Sequence, residues 1–183
     1  SDSLMWGNSN GLLDTLFKFT HDTPHAILEL KSKSSYTRYL EENPIPPNVI
    51  ATWSLNPDIV IANEEHGTAS LEARISAARR AADQGALVGF HFHPIIRYTG
   101  WKHEYKAIAK QLTSRFHPEE IAMVSLGTLT FIKPVIKSLR EHKLKTRVLQ
   151  MPLEPIGGKY SYPFEIKKQL FSTVYQAFQP WHG

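Results

Sequence analysis

Four groups of residues in this sequence carry side chains able to do chemistry, and three of them close apolar runs. Lys31-Ser32-Lys33-Ser34-Ser35 follows the run 26–30, Ser54 and Asn56 follow 49–53, and His91 and His93 end the run that opens at Leu87. The fourth, Lys159-Tyr160-Ser161-Tyr162, comes directly after Gly157-Gly158. In parallel α/β architectures ligands bind just beyond the carboxyl ends of strands. Consecutive apolar runs with polar ends therefore point to a site at one edge of a sheet.

Three of these groups, and the segment His66-Gly67-Thr68 besides, admit two readings. On a strand, His91 and His93 project from the same face, as metal ligands of a barrel hydrolase would. Such a site needs further ligands, and Asp58, Glu64, Glu65 and His66 in the preceding loop are within reach to supply them. The other reading is two pocket-lining imidazoles with no metal. A lysine at 31 or 33 would meet a carboxylate or phosphate as a point charge, or simply solvate a strand end. His66-Gly67-Thr68 would turn backbone N–H groups toward an anion, or only cap the next helix. Lys159, Tyr160 and Tyr162 alternate cation and aromatic, which suits nucleic acid because rings stack on bases and cations meet phosphate. An ordinary edge hairpin has the same pattern.

The elements that must hold these groups alternate between strand and helix. Strands are expected at 26–30, 49–53, 87–92 and 121–126, and helices at 12–19, 36–42, 68–84, 101–116, 132–142 and 164–178. The helix 68–84 is the clearest. Ser70 can cap it, Leu71, Ile75, Ala78 and Ala82 form its apolar face, Arg74, Arg79 and Arg80 take other faces, and Gly85 can close it. Prolines 44, 46 and 47 break the chain before the second strand. Residues 151–163, with three prolines and a Gly-Gly pair, read as a hairpin or irregular loop. The alternation implies a mostly parallel sheet with helices outside, and four strands are too few to close an eight-stranded barrel.

Composition sets the limits. With 183 residues, 42% hydrophobic and 21% charged, the chain is long and apolar enough for a single domain spanning 1–183. No apolar run reaches the length of a membrane helix and no secretory leader is visible, so a cytoplasmic location is expected. The net charge of +4 is compatible with a polyanionic partner, although the basic residues form no dense run. There are no cysteines, which removes disulfides, thiolate metal sites and a thiol nucleophile from these residues.

Taken in order, the segments SDSL, LELKSKS, WSLNPD, EHGTASLEARI, GFHFHPIIRYTGW, SLGTLTFIKP and GGKYSY resemble the C-terminal portion of the spore photoproduct lyase family, radical S-adenosylmethionine enzymes of the DNA repair photolyase type. The resemblance covers nearly the whole chain. It implies a partial (β/α) barrel with a C-terminal hairpin and helix, holding S-adenosylmethionine against a [4Fe–4S] cluster. It further implies cleavage of thymine photoproducts in DNA through a 5′-deoxyadenosyl radical. Lys33, Ser54, Asn56 and His93 match positions that face the cofactor, and Lys159 and Tyr160, with Tyr162 beside them, match the hairpin that approaches DNA. The family's CxxxCxxC cluster loop and donor cysteine precede SDSL and have no counterpart here. The sequence is thus expected to begin just after them, to be inactive alone, and to bind the cluster only with that N-terminal part. The alternatives kept beside this reading are the metal-dependent hydrolase on His91 and His93, and a non-catalytic nucleic-acid-binding fragment.

Overall fold

Short apolar runs separated by helical periods fold here into a parallel sheet with helices on one of its faces. The structure, a computed structural model, describes residues 2–142 and 146–182. Its elements are α1 (Leu12–Asp22), β1 (Leu28–Ser32), α2 (Arg38–Glu42), β2 (Val49–Ser54), α3 (Asp58–Glu64), α4 (Leu71–Asp83), β3 (Leu87–Ile95), α5 (Trp101–Arg115), β4 (Ile121–Thr128), β5 (Thr130–Ile132), α6 (Lys133–Glu141), β6 (Glu154–Ile156), β7 (Lys159–Ser161) and α7 (Phe164–Ala177).

Strands β1 to β4 lie side by side in sequence order, all parallel. This is the expected partial (β/α) barrel. The register aligns Ser54 with His91 and His91 with Ser125, so the polar strand ends form one row. Alternate residues face opposite ways. Leu30, Ala51, Trp53, Val88, Phe90 and Phe92 are buried on the helix-covered face. There Phe90 meets Phe116 edge-on at 5.2 Å, and Phe92 meets Phe178 at 5.7 Å. Such edge-to-face contacts add to area burial in fixing how helices seat on the sheet. The opposite face carries Glu29, Thr52, His91 and His93, the polar interior of an incomplete barrel.

A second, three-stranded antiparallel sheet has the order β5-β7-β6. Gly157 and Gly158 join β6 to β7 with φ of 55° and 78°. Two successive left-handed residues make the tight hairpin turn that non-glycine residues resist. The hairpin reading of 151–163 thus holds, and β5, three residues long, adds a strand the sequence pattern did not indicate. Helix α4 begins at Leu71 rather than 68, because the Ser70 side chain caps it by accepting the N–H of Ala73. Helix α3 was not expected. Its seven residues after Pro57 are too few for a periodic signal. Among the described residues no helix is long and apolar enough to cross a membrane.

Candidate functional site

Lys33 stands one residue beyond β1, and its backbone is clamped. Its N–H donates to Oδ2 of Asp2 at 2.6 Å. The other carboxylate oxygen of Asp2 accepts the Ser32 hydroxyl at 2.7 Å and the N–H groups of Leu4 and Met5. Burial pushes the Asp2 carboxyl up, but these hydrogen bonds outweigh it and hold its pKa below the usual value. The Lys33 ammonium then reaches Oε1 of Glu65 at 3.1 Å.

Glu65 is the centre of a buried polar cluster. Asn56 donates its amide to Oε1 at 2.8 Å, and Nη1 of Arg74 lies 2.7 Å from Oε2. Burial alone would raise the Glu65 carboxyl. Asn56, Arg74 and Lys33 together reverse that and lower it. Arg74 is fully buried and also donates to the carbonyls of Ser54 and Ala69 and to the Thr68 hydroxyl. It therefore ties the end of β2 to the turn before α4, and its place on the buried side of that helix corrects the expectation that it takes another face. Tyr105, buried on α5, donates to Oδ1 of Asn56 at 2.8 Å and accepts the N–H of Ile96 at 3.0 Å. An interior cluster of this kind is stable because nearly every polar atom has a partner.

Lys33, Asn56 and His93 line one cavity of about 750 Å³ beyond the strand ends. Glu64, Glu65 and His66 add polar groups to its wall, while Val60, Ile96, Leu129 and Phe131 make it apolar elsewhere. His93 is held by the Ser125 hydroxyl at 2.9 Å and packs on Gly127, where an added Cβ would lie 2.9 Å from the imidazole. Burial, followed by the neighbours His91 and Lys31, lowers the His93 pKa. Ser54, the fourth expected cofactor residue, is buried and does not line the cavity; its carbonyl instead anchors Arg74.

His91 lies deeper in the barrel interior. Its Nε2 meets Oε1 of Glu29 at 2.5 Å, and that oxygen also accepts the Thr52 hydroxyl. The two histidine rings are 5.2 Å apart at a steep angle, each engaged by a different partner. Among the described residues no group of three or more histidine, cysteine, aspartate or glutamate side chains is arranged to hold a metal. Asp58 and Glu64, read as loop residues under the metal alternative, instead open and close α3.

At the hairpin, Lys159 is exposed and Tyr160 half-buried, opposite Ile132 and Phe131 of β5. Tyr162 is fully buried and its hydroxyl accepts the N–H of Arg97 at 3.1 Å. Its ring has no face to offer a base, which corrects the expectation that it meets DNA. Three residues of the site escaped sequence reasoning in their roles. Asp2 and Tyr105 act over long separations, and Arg74 was assigned by residue type. The SDSL segment held the only signal for Asp2.

Comparison with known proteins gives a consistent result. The family model for spore photoproduct lyase matches residues 7–172. A spore photoproduct lyase of Geobacillus sp. (strain Y412MC61) is 25% identical over 152 residues, which are 82% of this chain and 44% of that protein. The Bacillus subtilis (strain 168) enzyme is 31% identical over 99 residues, 52% of this chain and 29% of that protein. A solved spore photoproduct lyase complexed with dinucleoside spore photoproduct superposes with a TM-score of 0.78 at 25% identity, covering 92% of this chain and 52% of that one. A substituted form with bound AdoMet and dinucleoside spore photoproduct gives 0.77 at 25% identity, with the same coverage. The chain thus spans about half the length of the relatives it matches.

Proposed function

Because the chain belongs to the spore photoproduct lyase family, we propose that it forms the cofactor- and substrate-facing part of a radical S-adenosylmethionine lyase that reverses thymine photoproducts in DNA. The observation that carries this reading is the meeting of Lys33, Asn56 and His93 at one cavity beyond parallel strand ends, with the Lys33 backbone held in place by Asp2. About 750 Å³ lies within the range of small-molecule sites. The mixed wall supports it too: an ammonium and amide for a carboxylate or ribose, apolar side chains for an adenine ring. A relative with bound AdoMet and dinucleoside photoproduct supports the same ligand pair.

The residues fit S-adenosylmethionine but not an iron–sulfur cluster, because the 183 residues contain no cysteine to supply thiolates. Cluster ligands, and with them activity, would come from outside these residues. When bound, S-adenosylmethionine would supply hydrogen-abstracting radical chemistry. The chain's own part is binding and orientation. Lys33 would meet a carboxylate, in competition with Glu65. Asn56, locked between Tyr105 and Glu65, would present a fixed edge. His93, its pKa lowered, would line the wall as a neutral ring. Ser54 serves by holding Arg74, and Lys159 and Tyr160 would meet DNA beside the cavity. We propose DNA as the partner on these grounds.

Calorimetric titration of S-adenosylmethionine into the chain tests the proposal. Binding that weakens at least about tenfold in Lys33→Met supports it, since one charge-assisted contact is worth roughly that factor. Equal affinity in the variant, or no heat in the wild type, counts against it.

A further inference from the structure

A second cleft, of about 770 Å³, opens where β3 passes into α5. Four basic side chains line it: Arg97, Lys102, His103 and Arg147. No carboxylate lines it, and among the described residues none of these four forms an ion pair. That separates them from Arg38, Arg74, Arg79, Arg80 and Arg115, each of which has an acidic partner.

Both arginines are anchored by their backbones while their side chains remain exposed. The N–H of Arg97 donates to the buried Tyr162 hydroxyl. The N–H of Arg147 donates to Oε1 of Glu64 at 2.8 Å, and the adjoining Thr146 hydroxyl donates to Oε2. Glu64 thus spends its oxygens on the loop rather than on the guanidinium. Lys102 lies over the Trp101 ring at 5.8 Å, within cation–π range. The acid in the first turn of α5, Glu104, accepts the Tyr98 hydroxyl. Fixed backbones carrying unpaired cations lose little freedom when an anion arrives, which favours binding.

The cleft and the cofactor cavity have a neighbour in common. A smaller hollow between them shares Tyr98, Thr99, Arg147 and Met151 with the cleft, and Val60, Asn63, Glu64 and Ile96 with the cavity. We propose that this cleft is a phosphodiester subsite that tracks the sugar–phosphate backbone of a single nucleic-acid strand leading into the cavity, with Arg97 and Arg147 as its phosphate contacts. It rests on the reading above in one respect: the strand is the one whose base enters the cavity. Nothing in that reading requires a contact here, since its DNA-facing residues, Lys159 and Tyr160, do not line this cleft.

The test is fluorescence anisotropy of labelled oligothymidylate on the whole chain, at salt concentrations from about 50 to 200 mM. Arg97→Gln/Arg147→Gln should weaken binding about tenfold or more at low salt, and flatten the log–log salt slope by about 1.4, that is about 0.7 for each lost single-strand phosphate contact. Lys18→Gln/Lys110→Gln removes the same charge from exposed positions on α1 and α5 away from the cleft, and should change neither. The proposal is overturned if the arginine pair binds like the wild type, if the lysine pair weakens binding equally, or if the wild type does not bind. Titration with S-adenosylmethionine on the same preparations separates the two readings. Cofactor binding with no cleft effect leaves the lyase reading standing and removes the subsite. A cleft effect without cofactor binding keeps the subsite and removes the lyase reading.

Discussion

Asp2 accepts the backbone N–H of Lys33 at 2.6 Å across 31 positions of sequence. The end of β1, and the lysine that faces the cavity, are thus held by the first described residue. Because the folded pKa of Asp2 lies below its ordinary 3.8, the unfolded chain binds more protons in the interval between the two values. The stabilisation is therefore full above pH 3.8 and is lost as pH falls through the folded value. Asp2→Asn should cost about 1–2 kcal/mol at neutral pH and flatten the acid limb of thermal stability. Melting curves from about pH 2 to 5 check it, and an unchanged limb would refute it.

The buried Glu65–Arg74 pair predicts an asymmetry. Arg74→Met should cost about 3–5 kcal/mol, because it leaves Glu65 with Lys33 as its remaining cation. Adding Glu65→Gln should recover part of that loss rather than add to it, since no buried charge is then left over. Urea unfolding of the two single variants and the double variant measures the coupling.

Gly127 and His93 should be coupled through space. Gly127→Ala drives a Cβ to within 2.9 Å of a ring that the Ser125 hydroxyl holds, so about 1–3 kcal/mol of strain is expected. In a His93→Ala background the same change should cost much less. Additive costs in the unfolding cycle would show that the two do not touch.

His93 itself should titrate below 6.5. Its folded pKa is depressed, so the unfolded state takes up more protons as pH drops below 6.5, and stability declines with it. Lys31→Met removes one of the neighbours that lower it and should move the midpoint upward. Imidazole proton resonances followed through the titration would show the direction.

The two hairpin tyrosines should behave differently. Tyr160→Ala should weaken oligonucleotide binding by roughly 1–3 kcal/mol if the half-buried ring stacks on a base. Tyr162→Phe should instead lower stability by about 1–3 kcal/mol, because the Arg97 N–H loses its acceptor. A binding loss in Tyr160→Ala matched by an equal loss of folded protein would assign both residues to packing.

Local pattern carried much of this protein. Runs such as 49–53 and 87–92 alternate with helical periods, and that alternation alone specifies parallel strands whose polar ends share an edge. The Gly157-Gly158 turn was equally legible, since two adjacent positive φ angles suit glycine. Lys33, Asn56 and His93, proposed to face the cofactor, were named through the resemblance of the motifs, and the fold brings those three together at one cavity. What the linear pattern lacked was every partner that arrives from another element. Arg74 reads as a surface cation by type, and only the packing of α4 on β2 places it against Glu65 and the Ser54 carbonyl. Tyr162 reads as a DNA-facing aromatic beside Lys159 and Tyr160, and only the segment just past β3 supplies the Arg97 N–H that makes its burial tolerable. A periodicity reports which face of an element is apolar. Whether a polar side chain turns inward depends on a complementary group contributed by a distant segment, and that pairing exists only once the chain has folded.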